Sequence, residues 1–122
     1  MISFQYNFAS VMKLTTESHA MITHVYKSGT NRGNRRIWIE GQRLVALGVS
    51  RGVKFRREMN GDTIDLIIGG EGQHTVAGTL ERPIIDLNGK YLNEFFGDAE
   101  CFAATFHAAE NNQPPRISIV TV

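Results

Sequence analysis

The chain reads as a mainly β protein with short helices, an α+β arrangement in which two tandem β-α-β-β units share one core. Three observations predict it. A strand, a glycine, a short helix and a hairpin run from Arg36 to Ile68, and the same order returns forty-eight residues later from Pro83 to Val120. Apolar residues in the intended strands alternate or form short β-branched blocks, as half-buried or buried strands require. With 122 residues and 42% hydrophobic content, the chain can fill one modest core but not two. A unit of about 40 residues rarely buries enough apolar surface alone, so the copies are expected to stack or interleave.

Residues 1–20 have weak periodicity and mixed polarity. They are read as an N-terminal extension that either packs as an extra strand or short helix or lies upstream of the folded unit. Met21-Ile22-Thr23-His24-Val25-Tyr26 suits a strand through its β-branched and aromatic residues. Lys27 to Asn34, with Ser28, Gly29, Thr30, Asn31 and Gly33, is predicted as a turn-rich loop.

Ile37 and Ile39 alternate with Arg36, Trp38 and Glu40 in the next strand, and Trp38 is assigned to core or edge packing. Gly41 turns the chain into a helix over Gln42 to Leu47, closed by Gly48. Val53 to Met59 and Thr63 to Ile68 form a hairpin about Asn60-Gly61, a pair that accepts positive φ. Gly69-Gly70-Glu71-Gly72 reads as a flexible joint. In the second copy, Asn88-Gly89 is the turn, Lys90 to Phe96 the helix, and Glu100 to His107 and Arg116 to Thr121 the strands of a longer hairpin with its tip in Ala108 to Pro115. One domain results, built from a basic repeat at 21–69, a linker at 70–81 and an acidic repeat at 82–122.

The net charge of +1 conceals a strong polarity. Residues 27 to 58 hold nine bases and two acids, a formal +7, whereas residues 59 to 122 hold three bases and nine acids, a formal −6. Such asymmetry points to a polyanionic partner for one half, or to attraction between the halves within or between chains. Arg56 and Arg57 are adjacent in a strand, so alternation sends them to opposite faces, and one is available to pair with an acid of the second repeat.

Catalytic signals are weak, and no enzyme activity, cofactor or metal is expected. His19, His24, His74 and His107 are scattered, without the three- or four-residue spacing that puts two ligands on one helix face. Cys101 reads as a small buried hydrophobe. Asp62 and Asp65 share a hairpin without the separated carboxylate pair that acid-base chemistry uses. Lys27-Ser28-Gly29 lacks the ending of a phosphate-binding loop. A lone cysteine and the lack of a signal-peptide pattern or an apolar membrane span set the expected location as cytoplasmic.

The stretch Arg36-Ile37-Trp38-Ile39-Glu40-Gly41-Gln42-Arg43-Leu44-Val45-Ala46-Leu47-Gly48-Val49-Ser50-Arg51-Gly52, followed by a strand, a glycine turn and an Ile-rich strand, resembles the AbrB and MazE class of swapped-hairpin DNA-binding domains. It is most similar to the SymE-type branch, which has a glycine in the strand-to-helix turn. The likeness covers about residues 34 to 68 and, more weakly, 83 to 120. It implies two modules interleaving their hairpins into one compact barrel-like core, here as a pseudo-dimer within one chain. It also implies DNA contact through the first strand and its preceding loop, at Lys27, Arg32, Arg35 and Arg36 with Arg43 on the helix. Arg51, Lys54, Arg56 and Arg57 are additional candidates. Independently of any family, Lys and Arg in a Gly/Asn-rich loop approach phosphates closely, and phosphate neutralisation supplies most non-specific affinity. The second repeat has Glu81, Arg82 and Asp86 at the matching positions, so its equivalent face repels phosphate.

The expected function is therefore a non-enzymatic DNA-binding regulator or antitoxin-like factor. An alternative is a small phage or mobile-element inhibitor, of anti-CRISPR or anti-restriction type, that binds a host defence protein. A homodimer joining two basic halves is a further option, and no membrane partner is expected.

Overall fold

The structure is a computed structural model that describes residues 21–122, so the N-terminal extension read at residues 1–20 lies outside the described residues. The first half of the described chain supplies β1 (Met21–Lys27), β2 (Gly29–Asn31), β3 (Asn34–Glu40), α1 (Gln42–Ala46), β4 (Lys54–Asn60) and β5 (Thr63–Ile68). The second supplies β6 (His74–Thr75), β7 (Ala77–Gly78), β8 (Pro83–Asn88), α2 (Lys90–Phe96), β9 (Cys101–His107) and β10 (Arg116–Thr121). These strands build a larger antiparallel sheet in the order β1-β9-β10-β5-β4-β6 and a smaller one in the order β2-β3-β8-β7. The mainly β character is as expected, but the sheets do not close into a barrel: the six- and four-stranded sheets each keep two edges among the described residues.

Strand alternation explains the core. Ile37 and Ile39 of β3 are fully buried against Leu87 and Ile85 of β8, which face them in register. In the larger sheet Ile64 faces Ile119 and Leu66 faces Ile117, again fully buried. Phe55, Phe102, Ala104 and Phe106 extend this layer, and Leu44, Leu92 and Phe96 close it from the two helices. The odd-numbered members of β9 point the other way, so Cys101 is half-buried on the outer side of the sheet, not the core residue expected. Trp38 is likewise on the outer side of β3, 37% exposed between two fully buried isoleucines.

Local chemistry sets the connections. After α1 the amide of Gly48 donates to Val45 O at 3.0 Å and that of Val49 to Leu44 O at 2.9 Å, with Gly48 at φ 85°. This is the Schellman pattern, and it carries Val49 into the core. The first hairpin turns on Gly61-Asp62, because Asn60 and Thr63 already pair. The expected Asn60-Gly61 loop is thus one residue early: only Gly61, at φ 62°, has positive φ, which suits a turn that needs it at its first central position.

Two stretches expected to be irregular are structured. Residues 27 to 34 make a hairpin whose β2 pairs with β3, rather than an open loop. The expected linker at 70–81 contributes β6 to the edge of β4 and β7 to the edge of β8, with Val76 buried between them. Gly72 does not act as a free joint, since a Cβ there would collide with the backbone of Phe55.

No helix among the described residues is long and apolar enough to cross a membrane. Truncating Leu66, buried on the β5–β10 seam, is expected to lower unfolding free energy by about 2–5 kcal/mol, as for other fully buried leucines. A urea titration of Leu66→Ala checks this; an unchanged midpoint would show that the seam is not part of the cooperative core.

Candidate nucleic-acid interface

The nine bases between Lys27 and Arg57 have quite different surroundings. Arg35 follows the inward phase of β3, where its guanidinium donates to the carbonyls of Ala99 and Gly97 and to Ser28 Oγ at 2.6 Å. It also lies 4.5 Å over the ring of Phe96. Gly97 and Ala99 are the residues leaving α2, so this arginine neutralises the negative end of a helix from the other half. Asn93 fixes the same place by accepting from the Arg35 amide at 2.8 Å and donating to Asn34 Oδ1 at 2.9 Å.

Arg36 faces outward and meets Asp86 as a two-pronged pair, Nε and an η nitrogen each 2.8 Å from a carboxylate oxygen. Its guanidinium also lies 4.4 Å over Trp38, whose indole N–H donates to Glu40. The hydrogen bonds from Arg36 hold the Asp86 carboxyl below the usual range, against the opposing effect of partial burial. Arg57 is turned inward over Tyr91 at 4.0 Å, and its Nε is buried without a hydrogen-bond partner. Arg56 points outward and pairs with Glu58 on its own strand at 2.9 Å. Opposite faces were expected for these two, but neither pairs with an acid of the second half.

Of the five principal candidates, Lys27, Arg32 and Arg43 remain exposed. Arg32 is at the tip of the β2–β3 hairpin with φ 53°, followed by Gly33 at φ 84°. Arg43 projects from α1 toward Tyr26, whose hydroxyl pKa is raised by burial and partly restored by that guanidinium. Asp98 and Glu100 lie in the segment to which Ser28 and Arg35 bind, which reduces the local positive potential. Arg51 and Lys54 are exposed but belong elsewhere. Lys27 faces Cys101 on the edge strand β1, whereas Lys54 begins β4, four strand spacings or roughly 19 Å across the sheet and at the opposite end of the strands.

Sequence reasoning missed a polar chain on the outer face of the larger sheet. Ser118 Oγ donates to Asp65 Oδ1 at 2.7 Å and lies 3.4 Å from His107 Nε2, while Asn60 donates to Asp65 Oδ2 at 2.8 Å. The serine stands between the acid and the imidazole, so the acid does not orient the histidine as it does in a nucleophilic triad. Only the strand register brings these residues together, and that register was not specified by spacing. Burial, then the charge of Arg116, lowers the His107 pKa against the attraction of Asp65. Burial followed by Arg57 lowers that of His74, which stacks on Phe55. Among the described residues no group of three or more potential ligands is placed to hold a metal.

Compared with protein-family models, curated proteins and solved structures, the chain matches none of them.

The pKa directions predict two acid transitions. His74 and His107 have lowered folded-state values, so their stability contribution is complete above about pH 6.5 and is lost as pH falls toward those values. Asp86 adds a second loss below about pH 4, as the carboxyl released by Arg36 takes up a proton. Thermal melts across pH 3 to 8 should show both. His74→Phe should weaken the first and Asp86→Asn the second; identical pH profiles for all three proteins would refute the assignment.

Proposed function

We propose that the chain is a non-enzymatic DNA-binding protein, a regulator or antitoxin-like factor, that uses its first half to touch phosphate. Arg32 carries this reading. A two-residue turn with positive φ at both positions prefers Asn-Gly, and a long side chain there costs conformational energy. Backbone strain retained at an exposed tip is a reason to look for function. Lys27, Arg32 and Arg43 form the contact set, with Arg35 and Arg36 supporting it: the first fixes β3 to α2, and the second is neutralised by Asp86.

The companion reading is that the two halves are duplicated swapped-hairpin units paired as an internal pseudo-dimer. Strand order supports it. β1 lies on the other half's β9 as β6 lies on the other half's β4, and β2 flanks β3 as β7 flanks β8. Register agrees: the β3–β8 seam is centred on Trp38 opposite Asp86, residues that the forty-eight-residue offset makes equivalent.

A second reading, an inhibitor that binds a host defence protein, is favoured by one observation. Among the described residues β1 ends its sheet, and Met21, Ile22 and Val25 on it are exposed. Pull-down from a nuclease-treated host lysate separates the readings, because a partner held through DNA is lost and a directly bound protein is kept.

Fluorescence anisotropy with duplex DNA tests the leading proposal. Three phosphate contacts predict a log-log salt slope of about −2.7, and losing one should flatten it by roughly 0.9. Arg32→Asn is the informative variant, because asparagine tolerates the turn geometry and folding is preserved. Weaker binding with a flatter slope is expected. No binding at low salt, or an unchanged slope in Arg32→Asn, refutes the proposed contact.

A further inference from the structure

Beside α2, a groove of about 510 Å³ is lined by Met59, Gly61 and Asp62 around the first hairpin turn, Tyr91, Glu94 and Phe95 of α2, and Val120 and Thr121 of β10. Tyr91, Glu94 and Phe95 stand at i, i+3 and i+4, so they share one face of the helix. Met59 and Val120 are 46% and 39% exposed, leaving apolar surface open to solvent beside the carboxylates of Asp62 and Glu94. No basic side chain lines the groove. Arg57 already covers the Tyr91 ring at 4.0 Å, which leaves Phe95, braced edge-on against Phe96, as the groove's free aromatic wall.

We infer that this groove is a docking site for a peptide segment of another protein that presents a Lys or Arg beside an apolar side chain. Charge complementarity selects the occupant: the basic group meets two carboxylates and an aromatic ring, while its alkyl stem and the apolar neighbour cover Met59 and Val120. The corresponding face of α1, forty-eight residues earlier, has Arg43, Ala46 and Leu47, so the helix face that lines the groove has no counterpart on α1. The site shares no residue with the proposed phosphate contacts, and its test does not depend on DNA.

The probe is a five-residue peptide, acetyl-Ala-Arg-Leu-Lys-Phe-amide, titrated into the ¹⁵N-labelled full chain, with a control in which both bases are replaced by Glu. Shifts confined to the amides of Gly61, Asp62, Tyr91 to Phe95, Val120 and Thr121 are expected for the basic peptide only. Asp62→Asn and Glu94→Gln should each weaken it about fivefold, the upper range for an exposed ion pair. Both carboxylates are exposed, so an unchanged spectrum elsewhere verifies the fold of each variant. Equal shifts with the acidic control, shifts outside the groove, or undiminished binding by both variants would overturn the inference.

Discussion

Two antiparallel seams, β3–β8 and β5–β10, form the buried centre of this protein, and each joins one half of the chain to the other. Neither hairpin can cover its own apolar face, because β3 finds its buried partner in β8 and β5 finds its partner in β10. Ile37, Ile39, Ile64 and Leu66 therefore reach full burial only when Ile85, Leu87, Ile117 and Ile119 arrive from the far half. A seam of this kind couples long-range contacts to most of the available hydrophobic stabilisation, so the halves fold as one cooperative unit.

That dependence explains what became of the basic run. A chain that brings distant segments together must also satisfy the polar groups at their junctions, and arginine is well suited to this task through its fork of donors. Arg35 meets the carbonyls leaving α2, and Arg36 meets Asp86 across the β3–β8 seam. Arg57 spreads over Tyr91 from the other half. Three residues counted as surface charge are thereby used to bind the halves, and of the free bases left behind Lys54 lies well away from Lys27.

Much of this fold was legible in the sequence because its signals are local. The α2 bounds, Lys90–Phe96, follow from the turn at Asn88-Gly89 and the apolar Leu92 and Phe96, and Gly48 announced the end of α1. β6 and β7 were not legible, since two residues display no period and each exists only because a neighbouring edge is open. The site was less readable still. Nothing near Arg35 in sequence reveals the carbonyl of Ala99, and nothing near Arg36 reveals Asp86; a charge count treats both as available. The acidic groove was hidden for the same reason, being assembled from a turn, a helix face and a strand end.

The bidentate ion pair on the β3–β8 seam also bears on which halves can pair. On the proposed duplication, Arg36 and Asp86 correspond to Ile84 and Trp38, which are diagonal neighbours on the other side of the same seam. Two first halves brought together would set Arg36 beside a second Trp38 and opposite a second Glu40, so that pairing still offers a carboxylate. Two second halves would set Asp86 beside Ile84, without a base. The hydrophobic pattern permits all three pairings, since Ile37, Ile39, Ile85 and Leu87 are similar in size and phase. Leaving a partly buried carboxylate unmatched penalises the pairing of two second halves more than matching it favours the observed one. The opposed charges of the two halves, seen first as a bulk asymmetry, thus have a local counterpart that disfavours two acidic halves in one core.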